Sequence, residues 1–223
     1  MYTTKLPSTG KSVQFRPFSV REEKILLLAL QEDSIDTLAL TIQNLVSVCT
    51  DGKIDTTTTP YYDIEFLFLQ IRSKSIGEVV DLVGTCDCGP GKQTEFSVDI
   101  GDVTIEPAPP VGIVSLIIPD TQYSIEMRHP SLDDFVRTIK SSGDDAAEVV
   151  ANCIAKVYTD EEVMNWDFKE KLEFVESMTT KQQREITSFL NKMPMVKLPA
   201  SYKCRHCGKE HTNVMSGFEN FFV

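Results

Sequence analysis

Two short stretches decide how this chain reads: Cys86-Asp87-Cys88-Gly89 near the middle and Cys204-Arg205-His206-Cys207-Gly208 near the end. Each sets two thiols within one turn and follows them with glycine. One such knuckle is half of a tetrahedral site. Two supply four sulfurs, the full ligand set of zinc in a closed structural site. The spacing predicts one structural zinc ion held by Cys86, Cys88, Cys204 and Cys207, with the fold bringing the middle of the chain to its end. Glycine behind the second thiol of each pair permits a left-handed turn, which lets backbone N–H groups face the sulfurs. The first pair has a single spacer residue, so its turn is tight, and Gly89-Pro90-Gly91 supplies slack. Lys92 and Lys209 stand where they offset the charge of a four-thiolate centre.

These residues admit other uses. His206 lies inside the knuckle and is expected to point outward, and His211 is a rival ligand for one thiolate position. Cys88-Gly89-Pro90 resembles a thioredoxin-type loop, but Gly91 stands where the second cysteine would be, so the attacking and resolving pair is missing. Cys49 and Cys153 fall on apolar helix faces and read as core. His129, before Pro130, reads as structural. Ser8-Thr9-Gly10-Lys11-Ser12 looks like the end of a phosphate loop, but Lys5 occupies the position of the motif's first glycine.

The 223 residues fit one large domain or two small ones. Apolar residues make up 41% and charged residues 25%, as in ordinary globular proteins. The net charge of -11 disfavours a wholesale nucleic-acid binder, although residues 192–223 are mildly basic. No signal peptide is expected at Met1 to Leu6, and the longest apolar run, Ile25 to Leu30, is too short to span a bilayer. Cysteines without a secretory signal point to a reducing compartment, where pairs serve metal or redox chemistry.

Taken in order, residues 1–17 read as an extended arm, with Val13 and Phe15 on one face of a strand. Ser19 and Glu22 form a capping box that opens a helix, expected to be central because Ile25 to Leu30 is apolar all round. A second helix carries Leu38, Ile42, Leu45 and Val46. A third has Pro60 at its first position and Ile64, Leu67, Phe68 and Ile71 on its apolar face. Glu78 to Thr85 and Thr94 to Ile100 read as strands flanking the first knuckle. Glu106-Pro107-Ala108-Pro109-Pro110 is the best boundary in the chain, which divides it into 1–105 and 106–223, or leaves one unit bridged by the metal. Strands are expected at Ile113–Ile118 and Tyr123–Arg128. Helices follow from Ser131, from Asp144-Asp145 through Ile154 and Val157, from Phe168 to Met178 and from Lys181 to Leu190, with Pro194 and Pro199 ending them. Trp166 and Phe168 pack a helix junction. Acidic pairs such as Asp133-Asp134 and Glu161-Glu162 sit at helix starts, where they complement the dipole, and no catalytic constellation stands out. The fold class is α+β: helical N- and C-terminal parts joined by short antiparallel strands and a zinc-ribbon-like pair of cysteine knuckles.

Leu6-Pro7-Ser8-Thr9-Gly10-Lys11 and Phe15-Arg16-Pro17-Phe18-Ser19-Val20-Arg21-Glu22-Glu23-Lys24-Ile25-Leu26-Leu27-Leu28-Ala29 resemble the opening of the baseplate proteins of T-even-like contractile-tailed bacteriophages. Cys204-Arg205-His206-Cys207-Gly208-Lys209-Glu210-His211 and Gly217-Phe218-Glu219-Asn220-Phe221-Phe222 resemble their ending. The first knuckle matches in position and departs in spacing. The resemblance implies a component of the tail baseplate hub or a factor that assembles it. Such a protein is not an enzyme. It binds hub and spike proteins in the host cytoplasm during assembly, and either stays in the virion or leaves. Candidate contact residues are Phe15, Arg16 and Pro17 in the arm and Phe218, Phe221 and Phe222 at the end. The rival reading is a zinc-ribbon module that binds nucleic acid or the transcription machinery through Lys203, Arg205, His206 and Lys209.

Overall fold

The computed structural model describes residues 1–32, 34–89, 91–109, 114–140 and 146–215, the side chains of 138–140 and 146 excepted. The elements run β1 (Tyr2–Lys5), β2 (Ser12–Phe15), α1 (Val20–Gln31), α2 (Ile35–Cys49), α3 (Tyr61–Ser75), β3 (Val79–Thr85), β4 (Gln93–Asp99), β5 (Thr104–Glu106), β6 (Val114–Ile117), β7 (Ser124–Met127), α4 (Leu132–Lys140), α5 (Ala146–Cys153), β8 (Ile154–Tyr158), β9 (Val163–Met164), α6 (Phe168–Ser177), α7 (Thr180–Asn191), β10 (Met195–Lys203) and β11 (Glu210–Met215). Helices and antiparallel sheets make this an α+β fold. The sheets are the hairpins β1-β2 and β3-β4, the set β11-β10-β5, and the meander β6-β7-β8-β9.

Two apolar cores organise these elements. The first gathers α1, α2 and α3, the hairpins β1-β2 and β3-β4, Leu132 and Val136 of α4, and Val196, Leu198 and Ala200 of β10. The second lies between the β6–β9 meander and α5, α6 and α7, around Ile125, Cys153, Ile154, Val157, Val175 and Ile186. Strand β10 returns late in the chain to the first core, pairing Met195–Lys197 with β5 and Leu198–Lys203 with β11. That return positions the site described below.

The central helix is α3, not α1. Ile64, Leu67, Phe68, Leu69 and Ile71 are all fully buried. On α1 only Leu26 and Ala29 are buried, while Ile25, Leu27 and Leu28 stay about half exposed. The apolar run misleads because a helix docked on one side buries one stripe whatever the rest of its surface carries. Conversely, α3 hides Asp63, Glu65 and Arg72 among its apolar residues, which makes it look amphipathic. Asp63 is buried by taking the backbone N–H of Ser8 at 3.0 Å and the Ser8 hydroxyl, so it pins the β1-β2 turn to α3. Burial pushes its carboxyl above the usual range. Pro60 is the cap before α3 rather than its first residue.

The capping box at Ser19 is present, and Glu22 does more than cap. It accepts from the Ser19 backbone N–H at 2.6 Å and from the Arg16 guanidinium at 2.7 and 3.0 Å. The Arg16 bond, foremost, holds the Glu22 carboxyl down at about 2. A depressed carboxyl stabilises the fold above its unfolded pKa of 4.5, and that stability is lost as pH falls toward about 2. After discounting for solvent around a pair that is 35% and 19% exposed, we expect Glu22→Gln to cost about 1–2 kcal/mol at pH 6. The gap should close near pH 2. Urea unfolding of both proteins across that range checks it, and a gap independent of pH would contradict the pairing.

Other expectations needed correction. Ile154 and Val157 do not extend a helix: α5 stops at Cys153, and these β-branched residues enter β8, paired with β7. Pro199 does not end a helix but lies inside β10, opposite Val214. It is tolerated because β5 pairs β10 only up to Lys197, so no second neighbour strand needs its missing N–H. Trp166 packs between Tyr123 of the β6-β7 turn and Phe174 of α6 rather than between two helices, and Phe168, expected beside it, is exposed. Cys49 and Cys153 are fully buried in the two cores. Burial pushes their thiols up to about 11 and about 12. The expected helix start at Asp144-Asp145 and residues Pro110 and Ile113 lie outside the described residues.

Candidate metal centre

Hairpins β3-β4 and β10-β11 carry the two knuckles at their tips. Strands β3 and β4 pair in unbroken register from Val79↔Asp99 to Thr85↔Gln93, so Cys86 to Lys92 must close the turn. The Cys86 N–H donates to the Lys92 carbonyl at 3.1 Å, and the Lys92 N–H to the Gly89 carbonyl at 3.3 Å. Strands β10 and β11 pair from Leu198↔Met215 to Lys203↔Glu210. There the Cys204 N–H donates to the Lys209 carbonyl at 2.8 Å, and the Gly208 N–H to the Cys204 carbonyl at 2.9 Å. The left-handed residues are Gly208 (φ 76) and Gly91 (φ 68). Glycine directly after the second thiol thus serves the second knuckle only. In the first, with one spacer fewer, the left-handed position moves from Gly89 to Gly91.

The two tips face each other. Cys86 Sγ lies 3.7 Å from Cys207 Sγ, Cys88 Sγ lies 3.8 Å from Cys204 Sγ, and all four sulfurs fall within 4.8 Å of one another. Four sulfurs each about 2.3 Å from a central zinc define a tetrahedron with edges of about 3.8 Å. The four cysteines therefore fit a metal ion with little adjustment. Cys86 and Cys204 are buried and Cys88 and Cys207 exposed. Backbone N–H groups of Cys207 and His206 draw the Cys204 thiol down to about 6, while desolvation and the neighbouring thiols push Cys88 up to about 12. A cation bound at the centre would hold all four sulfurs as thiolates. Four sulfurs close the tetrahedron and leave no position for substrate, which suits structure rather than catalysis.

Contacts below the sulfurs clamp the hairpins together. The Arg205 N–H donates to Thr94 Oγ1 at 3.2 Å. The Tyr202 ring stacks on Phe96 at 4.7 Å and on His211 at 4.8 Å, and its hydroxyl donates to the Thr85 carbonyl. Gly84 lies against the same ring, with no room for a Cβ. Lys209 pairs with Asp87 at 3.6 Å across the tips. His206 is exposed and meets Arg205 Nε at 3.4 Å. His211 Nε2 lies 3.2 Å from Cys86 Sγ. Sequence reasoning passed over Gly84, Thr94 and Tyr202. An isolated glycine inside a strand does signal close approach of another group, and Gly84 carried that signal.

The arm residues fall elsewhere. Phe15 is 1% exposed in the first core, so its ring has no free face. The Arg16 guanidinium is engaged by Glu22 and the Pro17 carbonyl, and Pro17 is half-buried. Phe218, Phe221 and Phe222 lie outside the described residues. No helix among the described residues is long and apolar enough to cross a membrane.

Comparison with known proteins places this architecture. No solved structure matches the chain. The chain is 24% identical over 216 residues to the "Baseplate hub assembly protein gp26" of Enterobacteria phage T4, spanning 96% of this chain and 93% of that protein. The family described as "T4 bacteriophage base plate protein" matches residues 1–223. A match from the N-terminal arm through both knuckles to the last residue shows that the chain belongs to the T4 bacteriophage base plate protein family.

Proposed function

We propose that this protein assembles the phage tail baseplate hub by binding other hub and spike proteins, and that Cys86, Cys88, Cys204 and Cys207 hold one structural zinc ion. The whole-chain likeness to a hub assembly protein carries the first part, and the sulfur tetrahedron supports the second. The role is binding, not catalysis, exercised in the host cytoplasm during assembly. Ile25, Leu27 and Leu28, left half exposed on α1, give a binding protein apolar surface to use, beside the arm that carries Arg16 and Pro17. The terminal Phe218, Phe221 and Phe222 are a second contact in this reading, so removal of residues 217–223 should weaken capture of partners without unfolding the chain.

Charge accounting disfavours the nucleic-acid alternative. Lys92, Lys203, Arg205 and Lys209 are exposed at the tips. Four thiolates around one zinc ion carry two negative charges, and Asp87 and Glu210 add two more. The basic side chains thus balance their own surroundings rather than form a free cationic patch for phosphates. A tagged full-length chain drawn from phage-infected cells is expected to bring down baseplate hub or spike proteins identified by mass spectrometry. Recovery of nucleic acid or polymerase subunits with no tail proteins would overturn the proposal.

A further inference from the structure

We infer that His211 fixes the Cys86 sulfur for the metal by donating its Nε2 hydrogen to Sγ, and is not itself a ligand; this rests on the reading of the four-cysteine cluster as a metal site. The distance of 3.2 Å is that of a hydrogen bond to sulfur. The four sulfurs already complete a tetrahedron, so a nitrogen has no position to fill. With Cys86 as thiolate the sulfur only accepts, so Nε2 must carry the hydrogen.

The ring is held for this purpose by Tyr202. His211 stands directly opposite Tyr202 in the β10-β11 pair and lies parallel to its ring, 8° apart at 4.8 Å. Tyr202 in turn bonds the carbonyl of Thr85, the residue before Cys86. The second hairpin thereby reaches across to the first knuckle at the sulfur whose own turn is abnormal. In the second knuckle, Cys204 Sγ takes the His206 N–H at 3.4 Å from within its two-spacer turn. The first knuckle has only Asp87 as spacer, and its left-handed glycine stands two residues later. The Cys88 backbone N–H serves Cys86 Sγ from within the short turn, and His211 adds a second donor from the opposite hairpin.

The test uses the full chain and three variants, His211→Phe, His211→Gln and His211→Ala. Phenylalanine keeps the stack on Tyr202 and deletes the donor, whereas glutamine restores an N–H without the ring. Zinc affinity is read by competition with a chromogenic chelator, and cobalt(II) substitution reports the sulfur-to-metal charge-transfer bands. We expect His211→Phe and His211→Ala to lose about 10–100-fold in affinity, the usual effect of removing a partner of a metal ligand. Their charge-transfer bands should move to lower energy, because the sulfur regains charge. His211→Gln should recover most of both. A His211→Phe protein that matches the parent in affinity and spectrum would overturn the inference while leaving the metal site intact. Cobalt bands of three sulfurs and one nitrogen in the parent would overturn it by making His211 a ligand. A parent chain that takes up neither zinc nor cobalt would overturn the metal reading, and this inference with it.

Discussion

Stripping the proposed zinc ion with a chelator is expected to lower the melting temperature by about 8–16 °C and to open both knuckles to trypsin. The size follows from linkage. A ligand bound only by the folded chain, at about 1,000 times its dissociation constant, stabilises by about 4 kcal/mol. For a chain of this length each kcal/mol is worth about 2–4 °C. The effect should be confined in space. None of the four cysteines belongs to either apolar core, whereas Val80, Leu82, Val98, Val196, Leu198 and Ala200, at the roots of the two hairpins, belong to the first. Without metal the roots stay packed and the tips part. Trypsin should then cut after Lys92, Lys203, Arg205 and Lys209, which are exposed in side chain but protected in backbone while the turns hold. Cys204→Ala should reproduce both effects without chelator, and one zinc per chain should be found in the purified parent. Equal melting and equal digests with and without chelator would show that the sulfurs sit together without a metal to hold them.

The cluster was legible in the sequence because its chemistry is local. Two thiols and a glycine within one turn mark a candidate ligand pair, and Cys86, Cys88, Cys204 and Cys207 do meet. The capping box at Ser19 and Glu22 was legible for the same reason. What depends on partners distant in sequence was not. Nothing around Thr104–Glu106 announces a strand until Met195–Lys197 returns to pair with it. Ile154 and Val157 fit a helical stripe as well as a strand, and pairing with β7 decides between them. Phe15 reads as an arm residue free for contact until the first core takes it in. Periodicity reports which face of an element is apolar, not how much of that face the rest of the chain will cover, and α1 and α3 exchanged roles for that reason. His211 shows the same limit within the site. From spacing it could be a ligand or a bystander, and only the opposite strand, which sets it against Tyr202, gives it a third role as donor.

Gly84→Ala is expected to cost about 3 kcal/mol, although alanine normally improves a strand position occupied by glycine. The reason is the Tyr202 ring. A Cβ at Gly84 would meet Cζ, Cε1 and Cε2 of that ring, all inside 3.0 Å. The ring has nowhere to go: Phe96 and His211 stack against it, and its hydroxyl is bonded to Thr85. Overpacking of this kind costs about 1–3 kcal/mol, and displacing the ring adds the loss of its aromatic stacking, about 0.5–1.5 kcal/mol. Because Tyr202 is two residues from Cys204 and bonded to the residue before Cys86, a displaced ring also spreads the sulfurs, so zinc affinity should fall together with stability. A double-mutant cycle separates this clash from a plain strand effect. In a Tyr202→Ala background the space is free, and Gly84→Ala should become neutral or slightly stabilising by chemical denaturation. If the two substitutions simply add, Gly84 is glycine for some reason other than Tyr202, and the two hairpins do not owe their docking to this contact.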